Sequence, residues 1–295
     1  MTAPVLADAL GPRGRRQARV ASVVAAVVII GLAVLFIRRL QDRGQFDPDL
    51  WRPFSIWLAW RFLLIGLLTT LKVAGLAMGM ALVLGTLLAL ARLARSFLVR
   101  LPAVIFVEFF RGLPLYVLIL FCGFGLPDID VDISKFQALV LGLTLYNSAI
   151  LGEVFRAGIL SLDRGQTEAA MAIGLGYWET MLLVVVPQAF RRMIPAIVSQ
   201  LVTLLKDTSL GFVILVEELL RRAQLTGEFF GNPLQAYSIA AVMYIIVNYS
   251  LSRLARRLEI RQRRRYSAGA IQVTGVEDLA VVGAQADAVT ARDED

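Results

Sequence analysis

Glu108 and Arg111 stand three residues apart, and Glu153 and Arg156 repeat that spacing further along the chain. On a helix such positions share a face, so each pair can neutralise itself. All four lie within apolar surroundings, where an ionisable side chain costs roughly 2.5–3.5 kcal/mol and therefore faces a cavity or a partner. Two roles follow: a path or gate for a polar solute, with Arg111 beside Gly112 and Pro114, or a structural ion pair near the end of each span. A second polar constellation, Lys206-Asp207-Thr208-Ser209, separates the apolar pieces 193–205 and 210–216. Asp207 or Ser209 can cap the helix that follows. A half-helix ending at membrane depth presents backbone groups to a charged solute, and Lys206 can attract a carboxylate. The competing reading is a plain span end with Lys206 snorkelling to the interface. Tyr146, Asn147 and Ser148 offer hydrogen bonds to a small zwitterion, or else link helices to one another.

Most catalytic chemistry is excluded. The chain has no histidine and a single cysteine, Cys122, so the usual general base and the commonest metal ligand are missing and no internal disulfide can form. Neither G-x-S-x-G, H-E-x-x-H nor a G-x-x-x-x-G-K-[ST] phosphate loop occurs. Intramembrane hydrolysis thus lacks a nucleophile and base, and any ATP that drives this protein is expected on another chain.

The elements that must position these residues are membrane helices. Of 295 residues 58% are hydrophobic and only 18% charged, against roughly 25% in ordinary globular domains. The mean hydropathy is +0.70, concentrated in long runs, so lipid is the solvent for most of the chain. A basic tail over 1–19 leads to an uncharged run, Val20–Ile37, read as a retained span because no small-residue cleavage site follows it. The tryptophan-rich segment 41–60 suits the membrane interface. Further spans are expected over about 62–91, 101–124 and 136–158. The pieces 193–205 and 210–216 are each too short to cross and are read as one broken, partly re-entrant span, and a last span covers 234–252. Gly75, Gly79 and Gly85 are expected to let helices approach closely. The arginines of 253–265 would anchor the chain at anionic lipid, and the tail that follows, acidic toward its end, is expected to be disordered. Six spans put both termini on one side. That side carries 18 Lys and Arg near span ends against 8 on the other, so both termini are expected in the cytoplasm.

Between spans lies a polar hairpin, 160–190, on that same side. Asp163 followed three residues later by Gln166 allows a capping-box start. Ala170, Ile173 and Tyr177 are expected to share an apolar face. Gly174 and Gly176 are expected to stop the first helix, and Pro187 to limit the second. The result is a compact protrusion of the right size for a groove on a partner.

The order Glu168-Ala169-Ala170, three residues, Gly174, then nine residues and Val184-Val185-Val186-Pro187 resembles the EAA motif of binding-protein-dependent ABC importer permeases. The family ending is I-x-L-P, from which this chain departs conservatively. The resemblance extends over about 60–260, and "FFRGLPLYVLILF", "YNSAILGEVFRAGILSLDRGQTEAA" and "VVPQAFRRMIPAIVSQLVTLLKDTSL" are similar to the polar amino-acid uptake subfamily. "GPRGRR" before an additional span, with "LGLTLYN", looks closest to the glutamate permeases of four-component glutamate uptake systems. The resemblance implies an all-α membrane fold, with a five-helix type I permease core over 61–260 and an extra N-terminal helix within 20–60. The basic, then acidic, cytoplasmic tail over 261–295 lies outside that core. It implies no catalysis and no cofactor in this chain, with ATP and Mg bound by two ATPase subunits on the cytoplasmic side. A second permease subunit, identical or paralogous, and an extracytoplasmic solute-binding protein complete the importer. Glu168, Ala169, Ala170 and Gly174 would couple to the ATPase. Glutamine or a basic amino acid is the alternative cargo, and an ATP-independent channel the alternative class.

Overall fold

The computed structural model describes residues 11–254, together with 256, 257 and 260. The tail expected over 261–295 and residues 1–10 lie outside the described residues, as does part of the arginine cluster 253–265. Among the described residues every regular element is helical. Helix α1 spans Pro12–Asp42, and its apolar window is exposed throughout. A short turn, α2 (Pro48–Trp51), and a 3-10 turn, Arg52–Ser55, lead to α3 (Trp57–Leu93). Then follow α4 (Phe97–Gly112), α5 (Leu115–Leu120), a π-turn Phe121–Gly125 and α6 (Leu126–Asp128). Helix α7 (Lys135–Leu160) opens on a true capping box between Ser134 and Gln137. Helices α8 (Arg164–Ala172) and α9 (Tyr177–Glu179) form the hairpin. A π-turn, Thr180–Val185, joins α9 to α10 (Val186–Asp207), which a 3-10 segment extends to Ile214. Helix α11 (Leu219–Phe230) precedes the last helix, α12 (Pro233–Leu254).

Five of these helical stretches are long and apolar enough to cross a membrane, and a sixth span results when the bent pair Phe97–Gly112 and Leu115–Asp128 is taken together. The six-span expectation therefore holds, with two corrections to its detail. The third span is not straight: the chain turns by 101° at Leu113-Pro114, where proline supplies no N–H to continue the helix. The fifth span is not broken at Lys206–Ser209; Tyr177–Ile214 runs as one helical stretch, tightening to 3-10 geometry after Asp207. Neither Asp207 nor Ser209 caps a new helix. Asp207 makes no capping bond, and Ser209 Oγ donates back to the Lys206 carbonyl at 2.7 Å.

The core lies where α3 crosses α7. Ala77, Ala81 and Ala89 are fully buried on α3, facing Leu139, Leu143 and Leu151 of α7. Small side chains matter here because no hydrophobic drive pulls helices together in lipid, so packing distance decides the contact. A Cβ at Gly85 would stand 3.0 Å from Leu151 Cβ and 3.1 Å from the Gly152 nitrogen, making Gly85 the crossing point. Gly75 and Gly79 have open space instead, so the close approach expected of all three belongs to Gly85 alone. At the end of the bundle away from the hairpin, the segment after α1 is pinned by buried amides. Gln235 Nε2 donates to the Gln45 carbonyl and Asn232 Nδ2 to the Leu50 carbonyl, both at 2.7 Å.

Candidate functional site

Helix α8 begins on Asp163, whose carboxylate accepts from the Gly165 N–H at 2.9 Å. The cap is present without the reciprocal Gln166 arm: Gln166 Oε1 accepts from Gln188 Nε2 at 3.3 Å instead. The helix ends as a Schellman motif. Gly174 N–H donates to the Met171 carbonyl at 3.0 Å and Leu175 N–H to the Ala170 carbonyl at 3.3 Å. Gly174 adopts φ +93°, a conformation that a side chain makes costly. Gly176 does not share that role. It starts α9, donating its N–H to Glu179 at 2.8 Å, so it opens the second arm rather than closing the first. Pro187 follows directly on the π-turn Thr180–Val185, inside the continuous stretch Tyr177–Ile214, and does not limit the helix.

The faces of α8 are now defined. Ala170 is buried against the bundle, whereas Glu168 and Ala169 are exposed and Ile173 is 80% exposed. Ile173 therefore does not belong to the buried face with Ala170 and Tyr177. It lies with Glu168 and Ala169 on an outward surface that combines a carboxylate, a small residue and a large apolar residue. The base of the hairpin is held on α10, where Arg192 donates to the Ser161 carbonyl at 2.8 Å. Met193 packs directly on Gly158 of α7.

At the same end of the bundle the membrane charges converge, though not in the expected pairs. Glu153 and Arg156 do meet at 2.6 Å. Glu108 and Arg111 do not pair with each other. Glu108 lies 3.6 Å from Arg92, and Arg111 lies 3.9 Å from Glu153. The reason is geometric: Glu153 on α7 sits between α3 and α4 and draws arginines from both. Arg92, only 11% exposed at the last turn of α3, bonds Glu153 at 2.5 Å. Three arginines thus share two carboxylates across three helices. In sequence Arg92 stands just past the span expected over about 62–91, where spacing gives it no partner.

Asn147 lies six residues before Glu153 on α7, about 9 Å along the helix axis. It is fully buried, donates to the Leu143 carbonyl at 2.8 Å and accepts from Gln200 Nε2 of α10 at 2.8 Å. It therefore joins α7 to α10. Lys206, exposed, and Asp207, half-buried, stand another ~9 Å beyond Gln200 along α10. The candidate residues consequently form three levels along the bundle rather than one pocket.

Glu218 is a functional-site residue that the sequence does not single out. It is fully buried and caps α11, accepting from the N–H groups of Leu220 and Arg221 at 2.9 and 2.8 Å and from the Tyr244 hydroxyl at 2.6 Å. The Leu219 N–H donates to Thr70 Oγ1 at 3.2 Å. Burial pushes the Glu218 carboxyl above the usual carboxylate range, while the bonds from Tyr244 and the two N–H groups, together with Thr70, pull it back. Glutamate is not among the usual N-cap residues, so the sequence carries no capping signal here.

Comparison with known proteins places this architecture. Residues 81–264 match the family described as "Binding-protein-dependent transport system inner membrane component". The protein named "Probable glutamine ABC transporter permease protein GlnP" of Bacillus subtilis (strain 168) is 42% identical over 207 residues, 68% of this chain and 94% of its own length. The glutamate transport system permease protein GluD of Corynebacterium glutamicum is 37% identical over 229 residues, 76% of this chain and 84% of its own. Among solved structures, a chain of an amino acid ABC transporter crystallised with histidines superposes with a TM-score of 0.66 at 30% identity, covering 70% of this chain and 97% of that one. With the helical bundle and the family match agreeing, the chain belongs to the binding-protein-dependent inner membrane components, within the polar amino-acid permeases of ABC importers.

Proposed function

We propose that this chain is the non-catalytic translocation subunit of an importer that carries L-glutamate across the cell membrane, driven by ATP hydrolysis on partner subunits. The observation that carries the reading is the form of α8. A capped helix presents Glu168, Ala169 and Ile173 outward while Ala170 seats it on the bundle, a geometry made to fit a cleft on another protein. The arginine distribution supports placing α8 and both termini in the cytoplasm, where ATPase subunits work. Two such ATPases, a second permease, identical or paralogous, and an extracytoplasmic solute-binding protein complete the machine.

Arg111, Glu108, Glu153 and Arg156 then line the inner end of the path, Asn147 its middle and Lys206 with Asp207 its outer part. An excess of arginine over carboxylate at the inner end suits a cargo with a net negative charge, which supports glutamate. Glutamine is the second reading, favoured by the 42% identity to a glutamine permease. The test is uptake of labelled glutamate and glutamine into vesicles holding the whole importer, with the binding protein outside. ATP-dependent glutamate uptake is expected. Uptake of glutamine alone replaces the cargo, and flux without nucleotide replaces the class. In the same assay Lys206→Ala is expected to weaken apparent affinity for glutamate, and an unchanged KM removes Lys206 from the path.

A further inference from the structure

Helix α3 ends beside the hairpin, 84 residues away in sequence. Its last carbonyls lack helical partners, as at any C-terminus, and the Leu93 carbonyl accepts from the Tyr177 hydroxyl at 3.4 Å. Two residues on, the Arg95 guanidinium lies 5.0 Å from the centroid of the Tyr177 ring. Tyr177 is the first residue of α9, directly after the turn that ends α8, and so stands where the hairpin passes into the continuous helix Tyr177–Ile214. One residue before Leu93, Arg92 holds Glu153 of α7 at 2.5 Å and faces Glu108 of α4 at 3.6 Å. The four-residue turn Arg92–Arg95 thus grips the hairpin with one side and the membrane ion cluster with the other.

From this juxtaposition we infer that the C-terminal turn of α3 is the joint through which movement of α8 reaches the inner gate, with Tyr177 and Arg95 as positioning residues that make transport follow hydrolysis. The inference rests on the coupling role proposed above for α8 and names the route beyond it. Covalent connection takes hairpin movement only into α7 and α10. Helix α3 has no chain link to the hairpin, so movement there must be transmitted by contact, and the Tyr177 ring attracted to the Arg95 guanidinium, with its hydroxyl on the Leu93 carbonyl, is such a contact. Arg92, anchored on two other helices, converts displacement of that turn into displacement of α3, α4 and α7 together.

The test is the number of glutamate or glutamine molecules, whichever is carried, taken up per ATP hydrolysed by the complete importer in vesicles. Tyr177→Ala and Arg95→Ala are each expected to lower this ratio by about threefold or more, the size of a lost cation–π contact. The double variant should be no worse than Tyr177→Ala alone, because that change already removes the Arg95 contact together with the hydroxyl bond to Leu93. Tyr177→Phe, which keeps the ring under Arg95, should stay within about twofold of the unaltered importer. Arg95 is exposed, so its variant reports even where the Tyr177 change impairs folding. An unchanged ratio in both single variants, or losses that multiply in the double one, overturns the relay. So does a loss of uptake that merely follows loss of bound ATPase subunits. ATP-independent flux in the unaltered importer would overturn the coupling reading itself, whereas unchanged variants in an ATP-driven importer overturn only this inference.

Discussion

Arg92 at the end of α3 and Glu153 on α7 meet at 2.5 Å, 61 residues apart in sequence, and Glu153 holds Arg156 at 2.6 Å with its other oxygen. A carboxylate shared between two arginines is satisfied on both oxygens, here by Arg156 from its own helix α7 and by Arg92 from across the interface on α3. The pair ties the ends of α3 and α7 nearest the hairpin into a single mechanical unit. Its removal should be felt in transport more than in insertion.

Replacing the shared carboxylate tests this. Glu153→Gln leaves Arg92, Arg111 and Arg156 facing one another with one partner fewer, a loss of about 1–3 kcal/mol for groups that are only partly exposed. Uptake at saturating cargo is expected to fall about tenfold or more, since each 1.4 kcal/mol is about a factor of ten in rate. Glu153→Asp should recover part of it. Membrane abundance, read by immunoblot, should change little, and normal uptake in Glu153→Gln would remove the cluster from the mechanism.

Gly174 is held at φ +93° with nothing within 4 Å of an added Cβ. The cost of a substitution is therefore backbone strain, about 1–2 kcal/mol, and not a clash. Gly174→Ala should loosen the end of α8 and reduce ATP-driven uptake while leaving the bundle intact, as judged by thermal unfolding in detergent. Gly174→Asn, which tolerates the left-handed region, should be milder.

Two of the four glycines of α3, Gly85 and Gly79, separate packing from mere smallness. Gly85→Leu must push against Leu151 and the Gly152 backbone, and overpacking of this kind costs about 1–3 kcal/mol. Gly79→Ala meets open space and gains helix propensity of about 1 kcal/mol. Apparent melting temperature should fall for the first and hold or rise for the second.

Glu218 gives the chain a pH signature. Its folded carboxyl is raised by burial, so the folded state binds the proton more tightly than the unfolded one. The stability this supplies is fully present below the ordinary carboxylate value of about 4.3 and is lost as pH rises through the raised folded value. Glu218→Gln, a permanent mimic of the protonated form, should therefore gain in melting temperature relative to the natural chain as pH rises. Glu218→Ala leaves the Tyr244 hydroxyl and two N–H groups unpaired and should cost about 1–3 kcal/mol at any pH.

The spans and the hairpin were legible because both are local signals. Hydropathy runs mark the first, and Glu168-Ala169-Ala170 with Gly174 marks the second. The turn at Leu113-Pro114 was hidden because the apolar run continues through it, and hydropathy does not register direction. Arg92 and Glu153, or Glu218 and Tyr244, were hidden for a different reason. Their partners are chosen by helix packing, which spacing along one helix does not encode. The same limit produced the Glu108–Arg111 pairing, sound on an isolated helix and overridden when Glu153 and Arg92 of neighbouring helices came closer. At Lys206–Ser209 the charge suggested a break, but the backbone bonds continued in a tighter helix.

The central claim is that α8 receives force from an ATPase in the cytoplasm. Cys122 is the one cysteine of the chain and is buried, so a Glu168→Cys variant carries a single accessible thiol. Labelling it with a membrane-impermeant maleimide in oriented vesicles, with and without the ATPase subunits, is the most direct test. The account predicts labelling from the cytoplasmic face alone and protection when the ATPase is bound. Labelling from the outer face, or labelling that the ATPase does not alter, would contradict it.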